Sequence, residues 1–329
     1  MTGMDAIYES IRLCTKCSLE ITNRLPRPHN LEFEKCIYPF ILLSKKRYVG
    51  NYYTDFNESF YTNSMGIVLK RRDNAPIVKH IYGGVVNIIL KGHLTPEFKK
   101  LQSENPDIDI KKYMVKKANQ FVLDETEKLL SGKFTMDKFI ITKSLRADYK
   151  NEDSIAHKVL ANRMGDRDPG NKPQSNDRIP YAYIEVVEKK GEKILQGDKI
   201  EHPQFIIDNK LKLDYKTYLT NQVKKPVAQI FGLVLEELQG YIPGKFNFSK
   251  YKERKKRDEK KAEYAGELLF KDALRKYDNK RSGKREITEF FKPKKIEVVE
   301  EIVDLEKESS NNSDSDDYDS DDSNKIIEI

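Results

Sequence analysis

Tryptophan is absent from this 329-residue chain, and cysteine occurs only three times, at positions 14, 17 and 36. So few thiols, odd in number, exclude a disulfide framework and point to a reducing compartment. Cys14 and Cys17 form a lone CxxC pair. A metal site would need two more ligands, and only Cys36 and five scattered histidines are on offer, so buried structural thiols are expected. No run of about 18 apolar residues occurs, which excludes a membrane-spanning helix, and the N-terminus lacks the apolar stretch of a signal peptide. Internal repeats are missing too.

Charge is what the chain has in excess. Charged residues make up 34% and hydrophobic residues 38%, so a core can form while part of the chain stays solvated. The length allows two domains of ordinary size. From Glu297 onward thirteen acidic residues face two lysines, leaving that tail at −11 and residues 1–296 at +18, against a total of +7. A body this basic has a footprint suited to nucleic acid. Residues 309–323 are Ser/Asn/Asp low complexity, which buries too little to offset chain entropy and is expected to be disordered.

Periodicity supplies a coarse plan. Ile7, Ile11, Cys14, Ile21 and Leu25 recur at helical spacing, predicting a helix over 5–24 that stops before Pro26 and Pro28. Strand-like runs at 36–44 and 47–53 flank a tight basic turn, and 65–69 reads as a third strand. Helices are predicted over 77–90 despite Gly83 and Gly84, over 110–130, and from about 153 to 164 with Asp153 as N-cap. A short strand or extended link at 139–145 precedes the last of these, and a Gly/Pro/Asp loop at 165–178 follows it. A hairpin is read from 179–187, a turn at Lys190 and Gly191, and a return at 193–195. Residues 214–238 read as a helix divided near Pro226, and 250–280 as a highly charged helix.

The organising stretch runs LEFEK at 31–35, CIYPFILLS at 36–44, KKRYVG at 45–50 and GIVLKRRDNAPIV at 66–78. Its two basic clusters place cations and an aromatic on the ends of a small sheet, where a polyanion backbone can be gripped. In order and spacing these motifs resemble the C-terminal half of a family B DNA polymerase of the replicative delta type, nearest in flavour to those of nucleocytoplasmic large DNA viruses. ITK at 141–143, RMGDRDPGNKPQSNDRIPY at 163–181 and DYKTYLTNQVKKP at 214–226 extend the resemblance to about residue 240.

The resemblance implies an α+β fold, the C-terminal part of a right-hand polymerase. Residues 1–76 would be the end of the palm, a small antiparallel β remnant, and 77–240 a mainly helical thumb with a β-hairpin insertion. A basic helical tail at 241–295 and a disordered acidic tail at 296–329 would follow. Lys45, Lys46 and Tyr48 would hold the primer terminus along the minor groove, with Arg47 in support. Acceptors shared by all base pairs there would report correct pairing without sequence preference. Arg71 and Arg72 either contact primer phosphates or pair with Asp73 to fix the palm–thumb junction. Lys143, Arg146, Arg163 and Lys172 would touch the duplex backbone, as would Arg167 and Arg178, whose aspartate neighbours can neutralise them. Glu32 and Glu34, on one side of an LEFEK strand, would either face the catalytic metals and bind an auxiliary Mg2+, or form a surface pair.

Several family motifs are missing: the paired-aspartate YGDTDS, the SLYPS-type motif, the KxxxNSxYG fingers helix and the exonuclease carboxylates. Phosphoryl transfer of this kind needs two metals clamped by aspartates, so no catalytic residue is assigned here. The opening helix corresponds to the one just after YGDTDS. The expectation is a chain inactive alone, paired with an N-terminal polymerase fragment that supplies Mg2+ chemistry, from a split, intein-interrupted or truncated gene. The cysteine clusters that close cellular delta enzymes are also lacking, so neither zinc nor an iron–sulfur cluster is expected. In their place KREITEFFKPKK at 284–295 resembles a sliding-clamp-binding peptide with Ile287, Phe290 and Phe291 as its plug, or it packs back on the thumb. Expected partners are therefore primer–template DNA, the N-terminal fragment and a sliding clamp, with no membrane, in a viral replication compartment of the host cytoplasm or nucleus. The rival reading is a stand-alone, non-catalytic accessory protein that binds DNA and a sliding clamp.

Overall fold

Turn and cap chemistry places most elements where the sequence pattern puts them. The computed structural model describes residues 3–56, 59–71, 73–186 and 194–284. Arg72, the turn at 190–191, the clamp-like peptide with Ile287, Phe290 and Phe291, and the acidic tail lie outside the described residues.

Helix α1, Gly3–Thr22, presses Ile7 and Ile11 against Tyr53, with Phe33 and Phe60 closing this small cluster. Cys14 and Cys17 are exposed free thiols, not the expected buried pair. Ile21 and Leu25 are exposed as well; beyond Ile11 the helix buries only Ser18. Strands β1 (Cys36–Ser44), β2 (Arg47–Tyr53) and β3 (Tyr61–Met65) form an antiparallel meander in the order β1-β2-β3. The third strand thus precedes the expected 65–69. Gly66 adopts φ +61° and ends it, and Val68–Lys70 coils into a 3-10 turn. Residues 31–35 are not in a strand, contrary to the alternation expected for Glu32 and Glu34. They are instead tied to the end of α1, where Leu31 N–H donates to Thr22 Oγ1 at 2.9 Å.

Helix α2 (Pro76–Lys91) opens on a proline, whose missing N–H costs nothing in a first turn, and buries seven apolar side chains. Its Gly84 survives mid-helix because the Phe121 ring of α4 (Ile110–Leu130) occupies the space where a Cβ would go. Between them, α3 (Pro96–Glu104) starts at Thr95, whose side chain accepts from Phe98 N–H. Asp109 caps α4 in the same manner. Strand β4 (Ile141–Ser144) then precedes α5 (Ala156–Arg167). Ile155, not Asp153, stands at the N-cap; Asp153 lies in the preceding turn.

Among the described residues the second sheet has three strands. β5 (Arg178–Tyr183) pairs with β4 on one side and β6 (Ile200–Glu201) on the other. Of the expected return at 193–195, Lys193 lies outside the described residues and Ile194 and Leu195 are not in a strand; the Asp198 carboxylate accepts from Leu195 N–H at 3.0 Å and closes a 3-10 turn over Gln196–Lys199. After α6 (Pro203–Asp208), the segment predicted as one divided helix is α7 (Tyr215–Thr217), a π-helical stretch Tyr218–Val223, α8 (Lys224–Phe231) and a 3-10 turn Gly232–Glu237. Pro226 cannot donate to the preceding turn, and the wider π stretch ends just before it. Helix α9 (Arg254–Arg281) is not a free tail: it buries Tyr264, Ala265, Leu269 and Phe270 in the main core.

That core is shared. Ile41 and Val49 of the first sheet, α2, α4, β4, β5, α8 and α9 all contribute to it. Tyr218 sits at its centre, fully buried; its hydroxyl donates to Phe139 O at 2.6 Å and accepts from Tyr183 N–H at 2.8 Å. No helix among the described residues is long and apolar enough to cross a membrane.

Candidate nucleic-acid interface

The β1–β2 turn is built to hold two lysines in the open. Ser44 pairs with Arg47 across the ladder, leaving Lys45 and Lys46 as the exposed turn. Lys46 takes a left-handed φ of 59°, and Gly66 packs directly behind its carbonyl, where no Cβ would fit. The next two residues point to opposite faces of β2. Arg47 Nη2 donates to Gln229 Oε1 of α8 at 2.7 Å, and Tyr48 leans on Phe40 with ring centroids 5.6 Å apart. Burial first, then the neighbouring Tyr48 phenol, pushes the Tyr52 phenol up to about 12.

One glutamine ties this turn to the helical body, and a second braces the start of α2. Gln229 holds Arg47, and seven residues earlier Gln222 Oε1 accepts from Ala75 N–H at 3.3 Å. Sequence reasoning passed over both. Their spacing on one helical face was a signal, though nothing in the sequence told which donors they meet.

The second basic cluster is braced internally. Arg71 donates twice to Asp73, at 3.0 and 2.8 Å, and Lys143 of β4 approaches the same carboxylate at 3.7 Å. Hydrogen bonding by Arg71, with Lys143 adding attraction and partial burial opposing, holds the Asp73 carboxyl down at about 2. Asp73 therefore takes the pairing role left open above, and it joins the first sheet's exit to the second sheet.

Arg146 follows β4, and its backbone N–H donates to Tyr149 OH at 2.8 Å, which in turn meets His157 Nε2 at 3.2 Å. Burial, then Lys143 and Arg146, push the His157 pKa down and favour its neutral form. The loop carrying Lys172 folds back onto the same strand end: Asn176 N–H donates to Leu145 O at 3.0 Å, and Leu145 N–H to Asp177 O at 2.8 Å. Lys172 is exposed, with its stem lying over Gly165. Arg163 points elsewhere. Its guanidinium donates to Ile200 O at 2.6 Å and lies 3.5 Å from the buried Glu201. Arg167 forms a two-point pair with Glu201 at 3.1 and 2.9 Å and stacks 3.7 Å from the Phe205 ring centre.

Glu32 and Glu34 do not fit a metal by themselves. Glu32 accepts from Asn30 at 2.6 Å, Glu34 is paired with Lys35, and among the described residues no group of three or more His, Cys, Asp or Glu could hold an ion.

Residues 1–234, including both basic clusters and the second sheet, match DNA polymerase family B. The chain belongs to that family. This family B chain is 43% identical over 299 residues to a DNA polymerase of Pyramimonas orientalis virus, covering 87% of its own length and 23% of the relative's. It is 45% identical over 237 residues to a DNA polymerase of Acanthamoeba polyphaga mimivirus, covering 71% of itself and 12% of the relative. The DNA polymerase delta catalytic subunit of Schizosaccharomyces pombe is 32% identical over 240 residues, covering 71% and 19% respectively. The chain thus spans less than a quarter of each of these relatives.

Proposed function

We propose that this chain is the end of the palm and the thumb of a replicative DNA-directed DNA polymerase. It grips the primer–template duplex, while a second polypeptide segment carrying catalytic aspartates performs nucleotidyl transfer with divalent metal. The observation that carries this reading is the braced turn: two exposed lysines on a tip fixed by Gly66 behind and by Arg47 to Gln229 beside it. A rigid cationic tip loses little side-chain and backbone freedom on meeting phosphates, so its binding free energy is not spent on ordering. Lys45 and Lys46 lie nearest the primer end. Lys143, Arg146 and Lys172, at one end of the second sheet, follow the duplex further back. Arg163 and Arg167, held by Ile200 and Glu201, shape the loop and make weaker contributions. Asp73 keeps Arg71 and Lys143 in fixed relation between the two regions.

The test is a titration of a duplex with a recessed 3′ end at several salt concentrations. Each neutralised phosphate contributes about −0.9 to the slope of log affinity against log salt, so a slope of several is expected. Lys45→Ala with Lys46→Ala should lower its magnitude by about two. A flat salt response would overturn the assignment.

A further inference from the structure

A dense cationic stretch follows residues 1–234, the part of the chain that matches the family. Between Lys245 and Lys261 nine lysines and arginines stand against three carboxylates, a net +6. Three of these cations are paired: Lys256 with Glu253 at 3.2 Å, Arg254 with Asp258 at 3.6 Å and Lys260 with Glu263 at 2.6 Å. Lys245, Lys250, Lys252, Lys255, Arg257 and Lys261 have no carboxylate at ion-pair distance among the described residues. Aromatic rings are interleaved with them. Phe246 is 43% exposed, and it leans on the buried Tyr264 with ring centres 4.5 Å apart. Lys245 reaches both of these rings, and Lys250 lies 5.2 Å from the centre of the Tyr251 ring.

Two open clefts adjoin here, sharing Phe248, Ser249 and Lys261. One, of about 560 Å³, has Tyr241, Phe246 and Lys111 in its wall; the other, of about 390 Å³, has Arg254 and Arg257. Their carboxylates are Asp258, Glu237, which is 3.4 Å from Lys111, and the exposed Glu236. The walls are fixed before any ligand arrives. Ile242 N–H donates to Tyr264 OH at 3.4 Å, and Arg257 Nη1 donates to Tyr251 O at 3.4 Å.

We infer that residues 241–261 form a second nucleic-acid surface, one that takes a single strand. Phosphates lie along the cations of the first turns of α9, and a base stacks on Phe246. Stacking is what selects a single strand: a duplex keeps its bases paired inside and offers such a surface only its phosphates. This surface goes beyond the duplex grip proposed above and uses none of the residues at the β1–β2 tip.

The experiment titrates the full chain with fluorescent oligo(dT) and, separately, with a blunt duplex, following anisotropy at several salt concentrations. Lys250→Ala, Lys252→Ala and Lys255→Ala combined should lower the magnitude of the oligo(dT) salt slope by about two, each lysine contributing about 0.7 on a single strand. Phe246→Leu keeps apolar bulk against Tyr264 but removes the stacking plane, and should weaken oligo(dT) about fivefold or more. Both changes should leave blunt-duplex affinity as it was. Lys45→Ala with Lys46→Ala should do the reverse, weakening the duplex and sparing oligo(dT). Thermal melts check folding, and the three lysines are exposed, so the outcome does not hang on Phe246 alone. Undiminished oligo(dT) binding by these variants would overturn the inference. So would no oligo(dT) binding by the unaltered chain, or equal losses on oligo(dT) and duplex, the mark of a cationic face without preference. Failure of the unaltered chain to bind duplex would instead strike the proposed function, with the oligo(dT) result unaffected.

Discussion

Gly66 sits back to back with Lys46: a Cβ on the glycine would collide with the lysine carbonyl oxygen, and both residues have positive φ, 61° and 59°. The tip that presents Lys45 and Lys46 is therefore a pair of left-handed residues pressed together, so its shape is set by backbone geometry and not by the side chains it displays.

Gly66→Ala should destabilise the fold by about 2 kcal/mol or more, adding a steric clash to left-handed strain. Gly244→Ala is the comparison, because Gly244 has φ 78° with open space around it and suffers the strain alone. Urea unfolding midpoints of the two variants decide it; equal losses would mean that Gly66 does not buttress the turn.

Lys46→Gly separates stability from binding. Glycine relaxes the left-handed position but adds freedom to the unfolded chain, for a net gain of about 0–1 kcal/mol. Duplex affinity should fall at the same time, with the salt slope reduced by about one. Thermal melts run beside anisotropy titrations check the opposite signs. A parallel drop in both quantities would tie the affinity loss to unfolding.

The Asp73 carboxyl carries a pH signature. Its folded pKa of about 2 lies below the unfolded carboxylate value, so it favours the fold at higher pH and that contribution is lost as pH falls through about 4 to 2. Asp73 is partly exposed, so Asp73→Asn should cost no more than about 1 kcal/mol at neutral pH. The difference between variant and parent should shrink as pH falls below about 4 and vanish only near pH 1. Acid titration followed by circular dichroism measures it, and a difference undiminished between pH 5 and pH 2 would refute an electrostatic origin.

Tyr218→Phe should cost about 1–3 kcal/mol, because it orphans both the Phe139 carbonyl and the Tyr183 N–H in a dry core. Tyr82→Phe provides the contrast. The Tyr82 hydroxyl is buried with no hydrogen-bond partner among the described residues, so its removal should be neutral or stabilising. Calorimetric midpoints of the two variants should move apart; matching shifts would show that the Tyr218 bonds contribute nothing net.

By itself the sequence determined the family, the basic turn between two strands, the helices read over 77–90 and 110–130, and the strong positive charge of residues 1–296. These rest on near-neighbour physics: periodicity, proline and glycine punctuation, and motif order, all written within a few residues of one another. Tertiary structure alone decided that Cys14 and Cys17 face solvent, that β5 lies between β4 and β6, and that Arg163 turns inward. It also decided that Arg47 finds Gln229, 182 residues away. Such choices depend on which distant backbone offers an unpaired group or an uncovered surface, and no local pattern records what the far side of the chain brings.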